Sequence, residues 1–170
     1  MKQLWLMRHA KSSWEHAELD DFSRPLNRRG NRVAPLMGRW LSMQESGIDT
    51  VVSSTAVRAQ QTASHVLAHL PSGTTLESTG ALYLATVSQW VDEVRRFDNC
   101  RNVVLAIGHN PGMEDLLAEV ADAGIPFPTA AITLLTLKIE HWSQFSLSTE
   151  TVKMQGIWRP KELFRDCGEE

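Results

Sequence analysis

Two histidines and two arginines stand at three separated points of the chain, each near a place where a short apolar run gives way to polar residues: Arg8-His9, Arg58 and His109. A neutral imidazole attacks phosphorus well at physiological pH, so His9 qualifies as a nucleophile. The planar fork of arginine suits Arg8 and Arg58 to gripping phosphoryl oxygens. His109 could donate a hydrogen bond to phosphate and stabilise charge in the transition state. Singly, each has an ordinary reading: a strand-end or loop histidine satisfied by backbone, an arginine reaching into water. Together they complement a phosphoryl dianion, whose transfer needs positioning and charge neutralisation more than elaborate covalent machinery. The arginines should also disfavour protonation of an empty-site His9. The scheme calls for no metal and no cofactor. His65 and His69 sit four residues apart without the acid of a zinc-protease motif and read as surface or core residues. His16 and His141 show no partner.

Local elements must deliver these side chains. Gln3 to Arg8 reads as a buried strand, with Arg8 and His9 projecting from its end. Asn27 caps a helix running to about Gln44, with Val33, Leu36, Met37, Trp40 and Leu41 on one face. Pro35 lies inside it and should kink it or move its start. Residues 49–53 form the next strand. A helix from Thr55 to about Leu70 follows, capped by Ser54 or Thr55, with Arg58 in its first turn. A cation there opposes the helix dipole, a conflict that a bound anion held by free helix N–H groups would remove. Residues 74–78 read as a weak edge strand. Thr86 and Gln89 form a capping box ahead of Val87, Trp90, Val91, Val94 and Phe97 at helical spacing. Asn102 to Ile107 is an apolar strand, and Asn110-Pro111 opens a helix with Leu116, Leu117 and Val120 inward. Ala131 to Ile139 and Phe145 to Met154 read as two further strands, with a short polar tail after Pro160. The alternation predicts an α/β fold: one three-layer domain over residues 1–170, with a mostly parallel central sheet and helices on both faces. Open sheets of this kind bind ligands at the carboxyl ends of their strands, where all three segments lie.

Composition narrows the class. The 170 residues carry a net charge of −3, with 42% hydrophobic and 22% charged residues. That balance argues against nucleic acid or an anionic membrane surface as partner, and any basic feature should be a local pocket. No apolar stretch approaches the roughly 20 residues needed to span a bilayer. Cys100, near a strand start, and Cys167, in the tail, match no disulfide framework or metal motif, so two free thiols in a reducing, cytoplasmic setting are expected.

The motifs carry a resemblance. The strand ending in Arg8-His9, the segment Ser53-Ser54…Arg58-Ala59…Gln61-Thr62-Ala63 and the run Gly108-His109-Asn110-Pro111 resemble, in order and spacing, the histidine phosphatase superfamily. The opening Arg8-His9-Ala10-Lys11-Ser12 and the stretch Asp21-Phe22-Ser23-Arg24-Pro25-Leu26-Asn27…Gly30 resemble its SixA-like, phosphohistidine-directed branch. The resemblance implies a phosphorylated His9 intermediate, with Arg8, Arg58 and His109 completing the phosphate pocket. Lys11, Ser12 and Arg24 are secondary candidates for binding phosphate or supporting the rim.

Two departures matter. Ala10 replaces the glycine of the superfamily's common Arg-His-Gly opening, as looks typical of the SixA-like branch. Larger members use an acidic residue to protonate the leaving group, yet the corresponding Gly80-Ala81-Leu82-Tyr83-Leu84-Ala85-Thr86 contains none, and neither Glu77 nor Asp92 is assigned that role. Expelling an alkoxide without an acid is slow. The imidazole of phosphohistidine, with an ordinary pKa of about 6.5, can arrive already protonated. The expected substrate is therefore a phosphohistidine on a partner protein, such as a histidine-phosphotransfer domain. A small-molecule phosphate monoester is the alternative, and a non-catalytic phosphate-binding adaptor stands behind both. The longest loop, Ser12 to Leu26, leaves the cleft open to a protein side chain. Its acidic run Glu15, Glu18, Asp20 and Asp21 is either a solvated face or a partner-facing one, and Trp14 on the same loop reads as a partner contact.

Overall fold

Six strands form one sheet in the order β3-β2-β4-β1-β5-β6. The computed structural model describes residues 1–15, 17–44 and 46–164. The strands are β1 (Lys2–Arg8), β2 (Thr50–Ser54), β3 (Thr75–Thr79), β4 (Val103–Gly108), β5 (Ile132–Leu137) and β6 (Val152–Trp158), and the helices are α1 (Arg28–Met43), α2 (Val57–Leu67), α3 (Val87–Val94), α4 (Gly112–Ala121) and α5 (Pro160–Leu163). The first four strands pair in parallel, and β5 and β6 extend the sheet antiparallel.

Alternate residues of the central strands feed two cores. Leu4 and Leu6 of β1 join Val104 and Ala106 of β4 under Trp90, Val94, Leu116 and Leu117 of α3 and α4. Trp5 and Met7 join Leu105 and Ile107 on the opposite face, under Met37, Leu41, Ala63 and Val66 of α1 and α2. Both faces of each strand are thus covered, as the continuous apolar runs require. Each fully buried leucine among them contributes about 2 kcal/mol.

Most expected elements form, and the departures have local causes. Asn27 caps α1 by accepting from the Gly30 amide at 2.9 Å, so Pro35 does not move the helix start. The buried positions of α1 are Gly30, Ala34, Met37, Gly38 and Leu41, while Val33, Leu36 and Trp40 are only partly buried. Neither Ser54 nor Thr55 caps α2; Ala56 occupies that position without a side-chain bond. The Thr86–Gln89 capping box forms as expected. The last strand falls later than residues 145–154, because pairing of Leu137 with Val152 and Ile132 with Trp158 sets its register. Phe145 instead turns into the core beside Trp142. The expected polar tail begins as α5, with Leu163 and Phe164 packed on the second core. Among the described residues no helix is long and apolar enough to cross a membrane. Cys100 is an exposed free thiol. His16 and Cys167 lie outside the described residues.

Candidate active site

Strand register decides which side chains meet. β4 lies between β1 and β2, with Gly108 opposite Arg8 and Ile107 opposite Ser53. The three parallel strands therefore end together, and the residue after each end emerges at one edge. The His9 amide donates to the Gly108 carbonyl at 3.0 Å, locking the two histidine-bearing turns side by side. The His9 and His109 rings lie 4.9 Å apart between centroids.

The hydrogen bonds assign the ring protons. His9 Nδ1 is 2.7 Å from the Ala10 carbonyl, an acceptor, so Nδ1 carries the proton. Its Nε2 then offers a lone pair, to which Arg58 Nε donates at 3.3 Å. Arg58 Nη2 lies 3.2 Å from His109 Nδ1, and because a guanidinium has no acceptor, that nitrogen accepts. His109 Nε2–H consequently donates to Ser54 Oγ at 2.8 Å. Arg8 donates from Nη1 to the Phe127 carbonyl at 3.0 Å, while its buried Nε has no hydrogen-bond partner among the described residues. An oxyanion could satisfy such a donor.

Burial and charge keep both imidazoles neutral. His9 is pushed down to about 3 by burial first, then by the charges of Arg58, Arg8 and Arg24. His109 is pushed down to about 3 by burial, then by His9 and Arg58. The arginines alone would be the smaller cause. Burial also lowers Arg8 from its ordinary value.

The surrounding residues fix these four. Thr62 Oγ1 accepts from the Ala10 amide at 3.0 Å and donates to the Arg58 carbonyl at 2.7 Å, tying the His9 turn to α2. The Ala130 amide donates to the carbonyls of both Arg8 and His9, from a backbone at φ 62°. Leu84, beside Tyr83, is held at φ 47°. Left-handed backbone at a residue with a Cβ costs about 1 kcal/mol or more, so packing at the pocket over-determines both turns.

The secondary candidates separate from the four. Arg24 is buried and donates from Nη2 to Ser12 Oγ, from Nε to the Ser13 carbonyl at 2.9 Å and from Nη1 to Asp21 Oδ1 at 2.7 Å. Arg24 and Ser12 thus brace the loop. Lys11 is exposed, and its carbonyl accepts from the Asn27 amide at 3.0 Å. Trp14 is exposed and covers the Arg24 guanidinium, 3.3 Å from its ring centroid.

Sequence reasoning missed the Asp21–Tyr83 pair. Asp21 accepts from Arg58 Nη2 at 2.9 Å and from Tyr83 Oη at 2.8 Å through its Oδ2, and its carbonyl accepts from Arg58 Nη1. The Tyr83 ring stands edge-on to His109 at 5.4 Å. Burial would raise the Asp21 carboxyl, but the bonds from Tyr83 and Arg58 and the charges of Arg58 and Arg24 outweigh it and hold the group below its ordinary value. Burial and then Asp21 raise the Tyr83 hydroxyl. The expected free amides at the start of α2 are partly taken as well, since Val57 N–H donates to the Phe22 carbonyl at 3.1 Å. The spacing Asp21…Arg24 was the available signal, but the run of acids around it reads as solvated surface.

Comparisons with known proteins bear on the family and the fold. Residues 4–83 match the model of the histidine phosphatase superfamily, branch 1. The chain is 32% identical over 141 residues to the phosphohistidine phosphatase SixA of Escherichia coli, spanning 79% of this chain and 85% of that one. It is 34% identical over 148 residues to an uncharacterised protein of Mycobacterium tuberculosis, spanning 81% and 90%. The structure of the protein histidine phosphatase SixA with tungstate superposes with a TM-score of 0.78 at 28% identity, covering 95% of this chain and 99% of the other. A mycobacterial glucosyl-3-phosphoglycerate phosphatase, at 13% identity and a TM-score of 0.67 over 92% of this chain and 98% of its own, shares the fold alone.

Proposed function

The chain belongs to the histidine phosphatase superfamily, SixA-like in sequence and fold, and on that premise we propose that it removes phosphoryl groups from phosphohistidine on a partner protein. The carrying observation is the His9 ring, whose Nδ1 is tied to a backbone carbonyl while Nε2 keeps its lone pair. That nitrogen attacks phosphorus, the bond to the substrate nitrogen breaks, and its electron pair stays on the departing imidazole. Arg8, Arg58 and His109 hold the phosphoryl oxygens. Water then attacks the phosphoenzyme, returning phosphate and His9. The reading needs no metal or cofactor.

The leaving group supports the N–P assignment. Asp21 is hydrogen-bonded to Arg58 of this cluster, and its contacts keep it ionised, so it has no proton to give an alkoxide. An imidazole already protonated on its other nitrogen needs none. A small-molecule monoesterase that used Asp21 as its acid would work against that direction. The exposed Trp14, Phe22 and Leu84 suit a protein-borne substrate, and the exposed Cys100 thiol is consistent with a reducing, cytoplasmic setting.

The test compares turnover of a phosphohistidine protein with a panel of sugar phosphates and nucleotides, chelator present throughout, and traps labelled phosphate on the enzyme. Preference for the phosphohistidine protein is expected, with acid-labile label on wild type and none on His9→Ala. Undiminished label on His9→Ala removes the nucleophile assignment, and faster ester hydrolysis restores the monoesterase reading.

A further inference from the structure

We propose that Asp21 is a specificity-determining residue: its carboxylate accepts a hydrogen bond from the protonated ring nitrogen of a leaving imidazole, favouring N–P over O–P substrates. The inference rests on the phosphohistidine reading above and deepens it.

Position comes first. One guanidinium, that of Arg58, touches both the attacking nitrogen of His9, at 3.3 Å, and the Asp21 carboxylate, at 2.9 Å. The carboxylate therefore lies one guanidinium's breadth from the nucleophile, within reach of a leaving group there.

Valence comes next. An ionised carboxylate has about four lone-pair sites. Arg58 and Tyr83 use Oδ2, and Arg24 Nη1 donates to Oδ1 at 2.7 Å. One site on Oδ1 is left, and the side chain is 43% exposed, so a further donor can enter. Tyr83 and Arg24 hold the group in place from either side.

Charge decides the preference. A fixed anion beside a phosphate pocket repels any dianionic ester, and more so once Arg58 turns to the phosphoryl oxygens. A leaving group that carries a proton and positive charge replaces the partner Asp21 then loses. In the step itself, the His9 Nε2–P bond forms and the substrate N–P bond breaks. The electron pair remains on the leaving nitrogen, and the other ring nitrogen keeps its proton on Asp21, so the group departs as neutral imidazole rather than imidazolate.

The experiment measures kcat/KM for a phosphohistidine peptide and for p-nitrophenyl phosphate in wild type, Asp21→Asn and Asp21→Glu. A charge-assisted hydrogen bond at a half-open site predicts that Asp21→Asn lowers the peptide-to-ester ratio by about tenfold. Asp21→Glu recovers part of it. The basic limb of the peptide pH profile moves to lower pH in Asp21→Asn, because the protonated ring loses its acceptor. An unmoved ratio overturns the inference, whether both rates fall, as for a merely structural residue, or both rise, as for a latch on Arg58. Wild-type protein that prefers the ester overturns the phosphohistidine reading and this inference with it. Wild-type preference for the peptide with the ratio unmoved in Asp21→Asn overturns the inference alone.

Discussion

Acidification should unfold this protein through its two site histidines. His9 and His109 are 7% and 1% exposed and both pushed down to about 3, against an ordinary 6.5. A depressed histidine pKa means that the folded state refuses a proton which the unfolded chain accepts. The stability each ring contributes is intact above about pH 6.5 and drains away as pH falls toward about 3. Each pH unit in that window is worth about 1.4 kcal/mol per ring, less near the upper edge where the unfolded chain is half protonated. Between about pH 7 and about pH 5 the loss comes to about 2 kcal/mol per histidine, or about 4 for the pair. Against a typical total of about 5–15 kcal/mol, that is a large fraction. Urea unfolding followed by tryptophan fluorescence, in phosphate-free buffer at the two pH values, measures it. His109→Gln and His9→Gln should each remove about 2 kcal/mol of the wild-type fall between those pH values. The other titrating groups are present in every variant and cancel from the comparison. A His109→Gln protein whose stability falls as steeply as wild type would refute the reasoning, since the ring would then be charging freely in the folded state.

Three further outcomes follow from the same geometry. Because His109 Nε2–H is committed to Ser54, donating to a phosphoryl oxygen requires Nδ1 to gain a proton. Orthophosphate binding at about pH 7 should therefore take up about one proton more in wild type than in His109→Gln, read by calorimetry in buffers of different ionisation enthalpy. Arg58→Ala should lower kcat by about 10²–10³, with Arg58→Lys recovering only part because a point charge lacks the fork; equal activity in all three would remove Arg58 from the pocket. A Cβ at Gly30 would lie 2.2 Å from the Lys11 carbonyl oxygen, so Gly30→Ala should destabilise by about 1–3 kcal/mol and displace the turn after His9. An unchanged Tm would show that the contact yields freely.

The candidate site was partly legible before folding because its members sit at the ends of local elements. Apolar runs before His9 and His109 mark buried strands, and the Asn27 cap and Thr86–Gln89 box mark helix starts, all within a few residues of chain. From order alone, Arg8-His9, Arg58 and His109 belong at one sheet edge. The last strand departs from its sequence pattern because its register comes from pairing with β5.

What the chain states locally is the alternation of strands and helices, and with it the kinds of groups that end the strands: imidazoles and guanidiniums. What only the tertiary structure decides is how those groups are partnered. Ser54 reads as a helix cap until β2 and β4 lie together and it becomes the acceptor that sets the His109 proton. Asp21 reads as one acid in a solvated run until its loop meets Arg58 and Tyr83, 37 and 62 residues away. Helix caps and strand patterns depend on neighbours in sequence. A proton's location and a carboxylate's charge depend on burial and on whichever groups the packed chain brings within hydrogen-bond reach.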